Sequence, residues 1–290
     1  MRYTFKEFQA EYPDDAACLD KVMEMRYGGT TFECPACHKR SKFHRIAKRR
    51  AYSCQFCAYH IYPCVGTPFE KSRTPLTSWF FAMYLFTSSR HGVAAKELER
   101  QLGVTYKTAW RMAHELRKLM AAADNLEPLS GVIEADETYI GGRRPQRLHR
   151  KNKTALFGMV QRDGPVRAGP VHRVSQATIH TFIKRNVQRG SILITDDSNI
   201  YPALRSAPYL HASVNHTLKE YVRGQIHTNS IEGYWSRLKN SINGTHIHVS
   251  GKHLWKYTAE FSFRYNMRKR PWAMFDRLVW AFSLPRLAGD

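Results

Sequence analysis

Three acidic residues, Asp136, Asp196 and Glu232, stand where they could share one chemistry. Asp136 lies inside the apolar run Val132 to Ile140, where a carboxylate without a metal or basic partner is costly. Asp196 directly ends the run Ser191-Ile-Leu-Ile-Thr195, and Glu232 falls in the first turns of a helix predicted to start at Thr228. Carboxylates at strand ends and at a helix start suit Mg²⁺, a hard ion that takes one or two protein carboxylates beside water and phosphate. Two such ions can activate an attacking oxygen and stabilise a leaving one at phosphorus, with Mn²⁺ as a hard substitute. Each acid has an alternative reading. Glu134 shares a strand face with Asp136 by the period of two. Asp196 could cap a turn and leave Asp197 as the ligand, and the helix dipole alone favours an acid at Glu232. Asp136, Asp196 and Glu232 are the preferred set, whereas Glu134, Glu137 and Asp197 are expected to tolerate neutral replacement.

The elements that must position these acids follow from the pattern around them. Strands are predicted over 132–140, 154–161, 166–174, 191–195 and near 212–214, with a helix over 176–188 and another from Thr228. Strands and helices in this order imply an α/β sheet with helices packed on its faces.

A second chemistry lies upstream. Cys34-Pro-Ala-Cys37 and Cys54-Gln-Phe-Cys57 are separated by sixteen residues. Two C-x2-C turns at that distance supply the four thiolates of a structural Zn²⁺ site. Cys18 and Cys64 fall outside the pattern and read as buried thiols. Between the pairs, residues 38–53 hold seven Lys or Arg and no acid, interleaved with Phe43, Ile46 and Tyr52. The run reads as a hairpin whose Arg49 and Arg50 face a DNA backbone.

Residues 78–87 are apolar nearly all round and predict a buried helix. Two further helices, over 93–102 and 105–120, meet at Gly103, as in a helix-turn-helix. Ala109, Met112, Ala113 and Leu116 share one face of the second helix, leaving Tyr106, Lys107 and Arg111 free for a DNA groove. The formal charge of +21 favours a polyanion by counterion release. No apolar run approaches the roughly 20 residues that span a bilayer, and the first residues lack a signal peptide's pattern. The expected setting is the cytoplasm, without membrane contact. Three units are expected: a zinc ribbon with an N-terminal helix (1–65), a helical DNA-binding unit (66–125) and an α/β unit carrying the acids (126–290).

Three segments carry a family likeness: Glu134-Ala-Asp136-Glu-Thr-Tyr-Ile-Gly-Gly142, Ile194-Thr-Asp196-Asp-Ser-Asn-Ile-Tyr201, and His227-Thr-Asn-Ser-Ile-Glu232-Gly-Tyr-Trp-Ser-Arg-Leu-Lys239. The third continues through Gly244, His248-Val-Ser250, Lys252-His253-Leu254 and Phe263-Arg264-Tyr265-Asn266. In these the chain resembles the DDE transposases of bacterial insertion sequences, in particular the ISXO-type group with an N-terminal zinc ribbon. Thirty-five residues separate Asp196 from Glu232, the usual gap in that family. The resemblance implies a ribonuclease-H-like core, Mg²⁺-dependent strand cleavage and strand transfer, and a homodimer or higher assembly on paired terminal inverted repeats and target DNA. It also implies a role for Lys239 against the DNA end. Some relatives use Asn for the last acid, and Asn229 lies one helical turn before Glu232; Glu232 is taken as the ligand, with Asn229 and His227 in support. The competing readings are a structure-selective nuclease on the same core and a zinc-ribbon, helix-turn-helix transcription regulator.

Overall fold

Local signals in the sequence set most of the element boundaries in the computed structural model, which describes residues 3–124, 127–141, 153–196, 201, 208–214 and 227–284. The chain forms two units, Met1–Ala123 with Arg270–Asp290, and Asp124–Lys269.

In the first unit, helix α1 (Phe5–Glu11) opens with a capping box between Thr4 and Glu7, and α2 (Asp15–Tyr27) starts from an Asp14 cap. Gly28, at φ 72°, ends α2 in the left-handed region that glycine enters without strain. Four short antiparallel strands follow in sequence order: β1 (Thr31–Glu33), β2 (Arg40–Arg45), β3 (Tyr52–Cys54) and β4 (His60–Ile61). Helix α3 (Leu76–Ser88) begins after Pro75, which offers no capping side chain. The Asp15 carboxylate of α2 caps it instead, accepting from the Leu76 and Thr77 amides at 2.9 Å each. Helices α4 (Ala95–Leu102) and α5 (Tyr106–Ala123) are joined at Gly103, which is also left-handed at φ 62°.

Helix α9 (Met274–Trp280) and the 3-10 turn after it (Ala281–Ser283) close an aromatic core in this unit. Tyr12 lies 4.8 Å from Phe80 and 5.6 Å from Phe275, and Phe69 lies 5.0 Å from Phe282, measured between ring centroids. The ribbon and the helices after it therefore share one unit, where the sequence suggested a boundary near residue 65. Residues 270–290 join that unit and not the one that carries the acids. An apolar helix near a chain end does not encode which core it fills, so the pattern could not assign it.

The second unit is built on a five-stranded sheet of β5 (Val132–Ile140), β6 (Thr154–Gln161), β7 (Val166–Pro170), β8 (Ile192–Asp196) and β9 (Leu210–Val214). Its order is β7-β6-β5-β8-β9, with β6 antiparallel to its neighbours and β5, β8 and β9 mutually parallel. Strand β7 stops at Pro170, although the apolar pattern runs to Val174; beyond it the Val171 amide still donates to the Ala155 carbonyl at 3.0 Å. Helix α6 (Gln176–Asn186) ends two residues before the predicted Gln188, because Val187 turns into a parallel bridge with Leu129.

Helices cover both faces of the sheet. Ile179 and Ile183 of α6 pack with Ile133, Ala135, Phe157, Met159 and Leu193 on one face. On the other, Ile231, Tyr234, Trp235 and Leu238 of α7 (Asn229–Ser241) and Leu254 and Phe261 of α8 (Leu254–Asn266) pack on Ile140, Leu156 and Val160. Asn266 ties the ends of this unit together, donating from Nδ2 to the Asp124 carboxylate at 2.9 and 3.0 Å and to the Val166 carbonyl at 3.1 Å. No helix among the described residues is long and apolar enough to cross a membrane.

Candidate active site

Strands β5 and β8 are adjacent and parallel, with Glu134 opposite Ile194. Carrying that register two residues further sets Asp136 level with Asp196, at the same end of the sheet. Since Ile133 and Ala135 face α6, alternation turns Glu134 and Asp136 toward α7 and Glu137 away from it. Asp196 shares the α7 face with Ile194 by the same rule.

Helix α7 approaches this face closely. Gly158 is paired with Asp136 across the β5–β6 ladder, and a Cβ there would lie 2.7 Å from Cζ2 and Cη2 of Trp235. Only glycine leaves room for the indole at that point.

The electrostatics tie the acids together. Burial drives the Asp136 carboxyl up to about 7, and the like charges of Glu137, Asp196 and Glu232 add to the push, against one backbone hydrogen bond that lowers it. Glu137 is also raised, first by burial and then by Asp196, while the Tyr201 hydroxyl donates to its Oε2 at 2.6 Å and works the other way. Carboxyls that destabilise one another's ionised forms are a set of hard oxygen donors suited to a divalent cation.

Glu232 is exposed in the first turn of α7, where its Oε1 accepts from the Thr228 hydroxyl at 2.7 Å. Asn229, the first residue of α7, is exposed one turn before it. Lys239 is exposed two turns after Glu232, on the same stripe of the helix. Asp197 lies outside the described residues.

Glu134 departs from expectation. It is fully buried, at 0% exposure. Its Oε2 accepts from the Ser230 and Ile231 amides at 2.7 and 3.2 Å, and its Oε1 from the Ser230 hydroxyl at 3.0 Å and Arg162 Nε at 2.9 Å. His227 Nδ1 is 3.3 Å from the same Oε1. A carboxylate so engaged cannot be neutralised without leaving buried donors unmatched, so the expected tolerance at Glu134 is corrected. The signal was present in the sequence: an acid in an apolar strand needs a partner, and Glu134 lies in the same apolar strand as Asp136. Arg162 and Ser230, missed outright, are the partners.

In the first unit, the Sγ atoms of Cys34, Cys37, Cys54 and Cys57 all lie within 4.8 Å of one another. The Cys34–Cys57 and Cys37–Cys54 separations are 3.7 and 3.9 Å. Tetrahedral thiolates about 2.3 Å from zinc stand roughly 3.8 Å apart, so the cluster fits a structural Zn²⁺.

Tyr106, Lys107 and Arg111 are exposed on α5, while Ala109, Met112, Ala113 and Leu116 are buried. Lys96 of α4 sits over the Tyr106 ring at 5.0 Å. Arg49 is exposed, but Arg50 is held by the Ser72 and Thr74 carbonyls at 3.0 and 2.7 Å, with Asp15 at 3.6 Å. Its guanidinium braces the segment before α3, so the pairing of Arg49 with Arg50 as equal backbone contacts is corrected.

Residues 128–266 match the family described as the ISXO2-like transposase domain, and residues 13–60 match the transposase zinc-ribbon domain. Both matched segments are thus similar to transposase domains. In particular, the chain resembles the ISXO2-like group of insertion sequences, as the three segments around the acids indicated. It is 26% identical over 262 residues to an uncharacterized protein in transposable element ISH50 of Halobacterium salinarum, across 82% of this chain and 86% of that one. Likenesses to solved structures are slighter. A chain of the simian T-cell lymphotropic virus intasome in complex with PP2A regulatory subunit B56 gamma is 13% identical, with a TM-score of 0.31 over 58% of this chain and 63% of that one. A chain of the Mos1 strand transfer complex is 12% identical, with a TM-score of 0.31 over 73% of this chain and 79% of that one.

Proposed function

We propose that the chain is a DNA transposase that binds the terminal inverted repeats of an insertion sequence and catalyses metal-dependent strand cleavage and strand transfer. The observation that carries this reading is the register that brings Asp136 level with Asp196 on two adjacent parallel strands, with the charge of Glu232, from a helix docked on them, acting on Asp136. The sheet order, with its second strand antiparallel, supports a ribonuclease-H-like core.

Asp136, Asp196 and Glu232 would hold Mg²⁺, with Mn²⁺ as substitute, and Asn229 stands as the alternative third ligand. When bound, the ions supply charge neutralisation at the scissile phosphate. The protein's part is positioning. The sheet fixes Asp136 and Asp196 relative to each other, α7 carries Glu232 to them, and Lys239 offers a cation further along the same helix. Tyr106, Lys107 and Arg111 would meet the terminal repeat, and Arg49 the backbone. Two copies, or more, would assemble on paired ends.

The test uses duplexes carrying the repeats that flank the gene. Alanine at Asp136, Asp196 or Glu232 should abolish cleavage with DNA binding near wild type, and a double replacement should be little worse than a single one. Retained cutting in Glu232→Ala, with loss in Asn229→Ala, would move the third ligand by one helical turn. Normal cutting by all three acid variants would sink the enzyme reading and leave a DNA-binding regulator.

A further inference from the structure

We infer that Glu134 is a positioning residue for the third acid: a sheet carboxylate that caps α7 from outside the helix and fixes it against β5. The inference rests on the proposed site and deepens it.

The first turn of every helix leaves backbone N–H groups without intrahelical partners, and a capping side chain normally accepts from the second or third of them. At α7 the N-cap residue, Thr228, makes no such bond, and its hydroxyl donates to Glu232 instead. The second and third helical residues are Ser230 and Ile231, and the acceptor of both amides is Oε2 of Glu134, from the middle of β5. Its negative charge also meets the positive end of the helix dipole.

The other oxygen completes a clasp. Oε1 accepts from the Ser230 hydroxyl and from Arg162 Nε, while Arg162 Nη2 donates to the His227 carbonyl at 3.1 Å. Arg162 is itself anchored to β5, since its amide donates to the Val132 carbonyl at 2.9 Å. The chain entering α7 is therefore gripped from β5 and from the end of β6 together. Glu134 lies two residues before Asp136 on the same strand face, and Glu232 and Asn229 both lie in the turn that Glu134 caps. The carboxylate thus couples the place of the first acid to that of the third, whichever residue supplies it.

The test is Glu134→Gln, which keeps the shape but loses the charge and one acceptor oxygen. Backbone exchange at Ser230 and Ile231 should accelerate. Mn²⁺ titration of the protein bound to a flanking-repeat duplex, followed by paramagnetic resonance, should show affinity reduced roughly 10- to 100-fold, as for loss of groups that orient metal ligands. The Mg²⁺ concentration for half-maximal cleavage should rise in step, measured below the melting temperature of the variant. A purely structural role would lower that temperature and leave the metal dependence alone, and that outcome overturns the inference. Should Glu134→Gln fail to fold, Arg162→Lys keeps the carboxylate on the helix amides and removes the grip on His227. It should shift the metal dependence several-fold in the same direction, and wild-type dependence there likewise overturns the inference. If the Asp136, Asp196 and Glu232 variants cut normally, the proposed function has failed; if they are inactive while Glu134→Gln binds Mn²⁺ like wild type, only the positioning role has.

Discussion

A carboxyl held near neutrality by its surroundings gives up its proton reluctantly, and Asp136 is in that position. The folded chain keeps this proton between about pH 4, where an ordinary aspartate ionises, and about pH 7. The unfolded chain has lost it over the same range. Stability falls as pH rises wherever the folded state binds more protons, so in the absence of added Mg²⁺ Asp136 subtracts from stability progressively across this window. Thermal melts between pH 5 and pH 8 should show that loss in wild type and a flatter profile in Asp136→Asn. Added Mg²⁺ should raise the melting temperature at pH 8 and do little at pH 5, where the proton competes with the ion. Equal Mg²⁺ shifts at both pH values, or an unchanged slope in the variant, would count against a cation at Asp136. The two acids of β5 also mark how far single residues were legible in sequence. Asp136 stood out because its strand offers it no local partner. Glu134 has its partners 28 and 96 residues away, in Arg162 and Ser230, and they reach it only once β6 has paired and α7 has docked.

The strands and helices of the sheet unit were largely readable because alternation and capping are local. Their ends were less so, since the turn of Val187 out of α6 depends on its bridge to the distant Leu129. The close approach of α7 to β6 was not readable at all: a glycine in an apolar strand does not announce which side chain occupies its space. Gly158→Ala puts a methyl against the Trp235 indole, which cannot retreat as a flexible side chain would. Overpacking of this kind costs about 1–3 kcal/mol. Urea unfolding should show a loss of that order, and cleavage should fall because α7 is pushed off the face that carries Asp136. A variant with wild-type unfolding and wild-type cutting would mean that the helix has slack at this point.

For the molecule as a whole, a net charge of +21 favours polyanions in general and sets no preference among sequences. The exposed residues divide those two properties. Arg49→Ala should weaken cognate and random duplexes alike and reduce the log–log salt slope by about one. Arg50→Ala should instead lower stability, because its guanidinium is engaged with the Ser72 and Thr74 carbonyls. Replacing Tyr106 and Lys107 should weaken binding to the flanking repeats more than to random DNA. Equal losses on both would remove α5 from recognition and leave the α4–α5 pair as packing. The charge, the ribbon cysteines and the helix pair could all be read from composition and spacing. The division of the chain could not, because the pattern carries no sign that Phe275 and Phe282 belong with Tyr12, Phe69 and Phe80.

That division imposes an order on the birth of the molecule. Because residues 124–269 are an insertion within the other unit, a ribosome releases α1, α2 and the ribbon long before the rings that complete their core. The sheet unit, whose two ends are already joined through Asp124 and Asn266, can close on its own while α3 still waits for α9. The unit begun before the sheet unit is completed only after it, once the rings of Phe275 and Phe282 have emerged.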